Sequence, residues 1–201
     1  MVFIITIVGV ELNLLFKKIN FNNMNLTKFI LLLPFLGNAQ QSNDTYRNSR
    51  VIEIGTHGLS VGYDILIGNK SFLNFETGVG GGYNLNDDAV SYILNFSKPT
   101  PYVKSSYSFF YNKDKRISKG KSLKNNSGNF IEAQLKYSFG NKNDIDLNKS
   151  LLTDLHWGIQ RSIGSNFYFR THVGIGYLQD FDLSKGNLTP TLGFKFGYNL
   201  L

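Results

Sequence analysis

Apolar residues take every second position through most of the chain. In residues 59–68, Leu59, Val61, Tyr63, Ile65 and Ile67 alternate with Ser60, Gly62, Asp64, Leu66 and Gly68. Successive side chains of a strand point to opposite faces, so this pattern predicts a strand with one apolar face and one small or polar face. Residues 71–84 repeat it: Leu73, Phe75, Thr77, Val79 and Tyr83 share one face, and Asn74, Glu76, Gly78, Gly80, Gly82 and Asn84 the other. Segments 102–112, 129–139, 151–163, 166–178 and 188–200 behave alike. The runs exceed the ~5–6 residues of ordinary globular strands. They match the ~9–11 residues with which a tilted strand crosses a bilayer.

Seven strands are clear, and a closed antiparallel barrel of this kind has an even number. Two segments compete for the eighth place. Residues 51–56 run into Gly55-Thr56-His57-Gly58, where the apolar parity slips as at a turn or bulge. Residues 90–96 alternate well but are short and precede Pro99 and Pro101. The stretch from Tyr63 to Gly80 echoes that from Trp157 to Gly176, which makes both of them hairpins turning at the same end. This favours 51–56 as the first strand and leaves 90–96 as a strand-like excursion in a longer loop. The expected fold is all-β: a single antiparallel up-and-down transmembrane β-barrel of eight strands. Alternation alone does not say which face points inward. Strand length, the aromatic content (Phe 17, Tyr 11) and the N-terminus turn the apolar face outward, toward lipid.

That N-terminus has the layout of an export signal. Met24-Asn25-Leu26-Thr27-Lys28 gives a short basic start, residues 29–36 an apolar run interrupted by Pro34, and Gly37-Asn38-Ala39 small residues at −3 and −1 before Gln40. Cleavage is expected after Ala39. The division is then an extension at 1–23 upstream of a true start at Met24, a signal peptide at 24–39, a linker at 40–50 and the barrel at 51–201. Cysteine is absent, which excludes disulfides, thiol chemistry and a lipid-modified N-terminal cysteine.

Three stretches carry a resemblance. They are Asn38-Ala39-Gln40; Phe110-Tyr111-Asn112-Lys113-Asp114-Lys115-Arg116 with Lys119-Gly120-Lys121 and Asn126-Ser127-Gly128-Asn129-Phe130; and Trp157-Gly158-Ile159-Gln160-Arg161. On these the chain resembles the small outer-membrane β-barrel proteins of Bacteroidota. The resemblance implies a barrel in the outer membrane; it implies no activity and no site residues. Leu201 departs from the aromatic ending common in such proteins, although Phe194, Phe196 and Tyr198 precede it.

Charge adds two features. The minor faces of the strands collect Asp64, Glu76, Glu132 and Asp154 against Lys104, Lys136, Arg170 and Lys195. Buried charges must be paired, and an eight-stranded barrel is just wide enough for side chains to fill. An ion-pair network plugging the lumen is therefore expected. Of the chain's net +7, the connection between strands four and five holds +5, from Lys113, Lys115, Arg116, Lys119, Lys121 and Lys124 against Asp114. Such a segment suits anionic lipid phosphates or cell-wall polymer. It has no aromatic residue after Tyr111, so nucleic acid is a poor partner.

Catalytic and cofactor signatures fail one by one. His57, His156 and His172 lack a metal-ligand spacing. Ser162, His156 and Asp154 share a strand face, but spread along it without a nucleophile elbow. Gly120-Lys121-Ser122 lacks the earlier glycine of a phosphate loop, and Gly78-Val79-Gly80-Gly81-Gly82-Tyr83 fails the dinucleotide fingerprint at its last position. No cofactor is implied. The expected role is structural or at the envelope interface. Lipid-modifying enzyme, small channel and lipocalin-like carrier are the alternatives.

Overall fold

The computed structural model describes residues 2–7, 45–86, 89–95, 97–141 and 147–200. The segment read as a signal peptide, 24–39, lies outside them.

Eleven strands are described: β1 (Val2–Ile7), β2 (Ser49–Gly55), β3 (Gly58–Gly68), β4 (Ser71–Gly80), β5 (Gly82–Asn86), β6 (Ala89–Asn95), β7 (Thr100–Phe109), β8 (Gly128–Ser138), β9 (Ser150–Ile163), β10 (Phe167–Asp180) and β11 (Lys185–Asn199). Eight of them, in the order β2-β3-β4-β7-β8-β9-β10-β11, close into an antiparallel barrel, with β11 returning to pair with β2. Ser49–Gly55 is thus the first barrel strand, and Thr56 with His57 forms the turn where the parity slips. Gly58 follows at φ 114°, a conformation that only glycine adopts without strain. No described helix is long and apolar enough to cross a membrane.

One expected strand divides. The alternation of 71–84 runs on without a break, but the barrel strand ends at Gly80. After Gly81 the chain leaves the wall. Gly82–Asn86 pairs with Ala89–Asn95 in a separate hairpin, whose other neighbour is β1. A side chain on Gly81 would collide with the Tyr92 ring, so the glycine run is what lets the hairpin fold back against the wall.

The wall has the reverse polarity of a soluble barrel. Its outward positions carry Ile54, Leu59, Val61, Leu135, Leu155, Val173, Ile175, Leu188 and Leu192, with Leu192 71% exposed. Its inward positions carry the charges: Glu132 is 3% exposed and Arg170 5%. Aromatic rings gather at both ends of the wall. Tyr137, Phe139 and Phe181 form one group. At the other end the Trp157 indole N–H donates to the Tyr111 hydroxyl, and Phe167 meets Tyr198 edge-on at 4.8 Å.

Candidate functional site

The lumen is built from the minor faces of the strands, because each outward apolar residue leaves its polar neighbours pointing in. Arg170 on β10 and Glu132 on β8 form a direct ion pair, and Arg170 also donates to the Gln160 side-chain oxygen at 3.0 Å. Glu76 on β4 pairs with Lys104 on β7 and with Lys195 on β11, the latter at 3.2 Å. Lys195 bridges on to Glu53 of β2. The Tyr102 hydroxyl donates to Glu76 at 2.7 Å, and that of Tyr168 donates to Glu53. His156 lies between Glu132 (3.1 Å) and Asp154 (3.5 Å), with the His172 ring stacked on it at 4.0 Å.

Five of the eight charges expected in the lumen network, Glu76, Lys104, Glu132, Arg170 and Lys195, make direct pairs with an opposite charge. The other three are placed differently. Asp64 accepts from the Asn74 side-chain amide at 2.7 Å and meets no Lys or Arg at ion-pair distance among the described residues. Asp154 has His156 as its one partner at ion-pair distance among the described residues. Lys136, 1% exposed, sits in a cage of tyrosine rings. Its ammonium lies 4.5 Å from the Tyr102 centroid, 5.2 Å from Tyr83 and 5.4 Å from Tyr92, and 3.3 Å from His57 Nδ1. The quadrupoles of the rings take the place of a carboxylate. Ser162 is not brought to His156. It lies at the end of β9, where its hydroxyl accepts from Asn125 and donates to the Gly164 carbonyl. Among the described residues no three His, Asp or Glu converge as metal ligands.

Glu53 is a lumen acid that sequence reading missed. Its signal was Ile52-Glu53-Ile54, one charge between two outward isoleucines, in the strand whose assignment was least clear. Tyr168, set between Phe167 and Phe169, is the same kind of omission.

Each end of the lumen is covered. At the end where β2 begins and β11 ends, Tyr46, Phe72, Phe110, Leu123 and Phe130 pack into a plug. Phe130 lies flat across β9 only because residue 158 is glycine; a Cβ there would sit 2.3 Å from its ring. Leu123 belongs to the basic connection, which is folded rather than slack. The connection contains a short helix α1 (Lys113–Ile117) and a 3-10 turn (Lys124–Asn126). Asn126 is tied to the residues before β2. Its amide donates to the Arg47 carbonyl at 2.9 Å and the Ser49 hydroxyl at 2.8 Å, and its oxygen accepts the Arg47 N–H at 3.0 Å. The last residues of the stretch read as a linker are therefore part of the plug. Burial pushes the Tyr46 phenol above its ordinary range, so it is a neutral donor, to the Ser127 carbonyl.

The six basic residues of the connection divide into two groups. Lys113 reaches the Asn69 carbonyl and the Tyr46 ring, Arg116 donates to the Ser122 carbonyl at 2.6 Å, and Lys124 is half-buried. Lys115, Lys119 and Lys121 are exposed. Asp114 is turned aside by Lys70.

At the opposite end the β5–β6 hairpin is the cover. Tyr83, Leu85 and Val90 pack with Leu152 and Leu178 of the wall, and Tyr92 packs against that cluster. Between the two covers, a void lined by His57, Glu76, Lys104, Lys136, His172 and Lys195 has room for one or two water molecules. No protein-family model, curated protein or solved structure matches the chain.

Proposed function

We propose that this protein is an outer-membrane β-barrel, exported through a signal peptide removed after Ala39, with a structural or envelope-interaction role and a sealed lumen. The reverse polarity of the wall carries this reading. A barrel in water would pay for an outer surface of Leu, Ile, Val and Phe over its whole circumference, whereas hydrocarbon accepts it. The two aromatic groups at the rims fit the interfacial girdles of such barrels.

The short turns at 69–70 and 164–166 lie at the end where β2 begins and β11 ends, and the two-residue turn at 56–57 lies at the other; we assign the first end to the periplasmic side, where short turns belong. On this orientation Lys115, Lys119 and Lys121 face the periplasm. There they meet anionic phosphates of the inner-leaflet lipid or of the wall polymer. The resemblance to outer-membrane barrels of Bacteroidota agrees with the reading and adds no activity.

The test is electrophoretic. Protein folded in detergent and kept unheated should run in SDS at a mobility different from the boiled sample, and should fractionate with membranes in cells. A detergent-independent soluble monomer that retains a lipophilic ligand would overturn the proposal and favour a carrier.

A further inference from the structure

We propose that the outer edge of β6 is a strand-acceptor site, which takes an extended, uncharged, β-branched segment of a partner polypeptide by antiparallel β-addition. The inference rests on the reading that residues 1–39 are removed on export. The chain itself shows what the edge accepts. Val2–Ile7 lies along it, from Val2 opposite Asn95 to Ile7 opposite Val90. That segment lies upstream of both the expected start at Met24 and the cleavage point, so the mature chain lacks it. Val90 to Asn95 are then left with unpaired backbone groups, a template for another chain.

Three further observations favour this edge. The first is that the other side of the hairpin is taken: Asn148 bridges to Tyr83, its N–H donating to the Tyr83 carbonyl at 3.1 Å. The second is that β6 lacks the devices that guard natural edges. Ala89–Asn95 reads AVSYILN, with no charge and no proline. The third is that the hairpin is held in place. The Tyr92 hydroxyl donates to the Thr56 carbonyl and accepts the Gly81 N–H, both at 3.1 Å, and the Tyr83 and Tyr92 rings clasp Lys136. A fixed edge loses little freedom on binding, and its main-chain hydrogen bonds supply the affinity.

The occupant's chemistry follows from VFIITI: no charge, one aromatic residue, and β-branched residues elsewhere. The site lies at the end of the barrel opposite the start of β2 and the end of β11. In the proposed orientation that end faces the outside of the cell, so the partner is an extracellular or neighbouring surface polypeptide.

Asn86 and Ala89 close the hairpin with two residues between them. This register sends the amides of Ala89, Ser91 and Ile93 to β5, and those of Val90, Tyr92 and Leu94 to the acceptor edge. Leu94→Pro therefore removes an edge donor without touching the β5 pairing. All eight barrel strands lie within residues 49–199, so a chain starting at Gln40 keeps the whole barrel. That chain, folded in detergent micelles, is titrated with a fluorescent peptide of the Val2–Ile7 sequence flanked by lysines.

The expected result is saturable one-to-one binding. It weakens by about tenfold or more in Leu94→Pro, and likewise for a peptide N-methylated on the amides facing β6, while the mobility of the unheated barrel in SDS stays unchanged. Equal uptake by both chains, or of both peptides, is micelle partitioning and overturns the proposal. So does a Gln40 chain that dimerises through β6 and excludes the peptide. N-terminal sequencing of protein from membranes separates the two readings. A Gln40 start leaves the edge open, whereas retained residues 1–39 overturn the export reading itself.

Discussion

Arg170 and Lys136 are cations buried in one lumen and held in opposite ways. Arg170 is matched by Glu132, so Arg170→Ala leaves a carboxylate buried without its partner. Thermal or denaturant unfolding should show a loss of about 3–5 kcal/mol. Lys136 has three rings and an imidazole around it and no carboxylate at ion-pair distance among the described residues. Lys136→Met gives up a cation–π attraction of about 2 kcal/mol, but also the desolvation cost of the ammonium, and no opposite charge is orphaned. Its unfolding free energy should stay within about 2 kcal/mol of the parent, well short of the Arg170→Ala loss. Equal losses in the two variants would mean that Lys136 has an anionic partner in solution. The sequence placed both residues on inward faces through period two. It could not separate their environments, because the tyrosines that surround Lys136 come from β5, β6 and β7, and two of those strands lie outside the barrel wall.

At the scale of elements, the connection between β7 and β8 combines two roles that one charge run does not reveal. Leu123 and Asn126 fix it to the plug, while Lys115, Lys119 and Lys121 remain in solvent. Replacing those three lysines by Gln should leave folding intact and weaken co-sedimentation with anionic vesicles at low salt, and added salt should do the same to the parent by screening. Arg116 is left unchanged, because its bond to Ser122 shapes the connection. Binding that persists in the triple variant would make the connection a cap and nothing more. The barrel strands were legible because each keeps its alternation over its full length. The hairpin was only half legible. Alternation continues through Gly78, Gly80, Gly81 and Gly82, and a local pattern of period two does not record whether a strand stays in the wall or swings over its mouth. The connection's basic charge was legible, but its fold was not, since Leu123 and Asn126 find their partners in Tyr46, Arg47 and Ser49, 77 to 79 residues earlier in the chain.

The described residues form an eight-stranded cylinder with polar filling and a cover at each end. With both ends of the lumen covered, purified protein in a planar bilayer should stay electrically silent; steady unitary currents would show that one cover opens. The barrel closes where Val51–Gly55 meets Lys195–Asn199, the shortest of its eight seams and the one joining the residues farthest apart in sequence. Such long-range pairing forms slowly, because the chain entropy of the large loop must be lost before any rung is gained. Asn126 is expected to shorten that search, so Asn126→Ala should slow refolding into detergent. It belongs to the middle of the chain, yet it grips Arg47 and Ser49 at the threshold of β2. If β7 to β9 pair first, this clasp would hold the leading strand over the opening mouth of the growing sheet, within reach of the arriving β11. Seen in time rather than in space, the plug is a scaffold for closure, a guide that lets the last seam be zipped from a strand already moored.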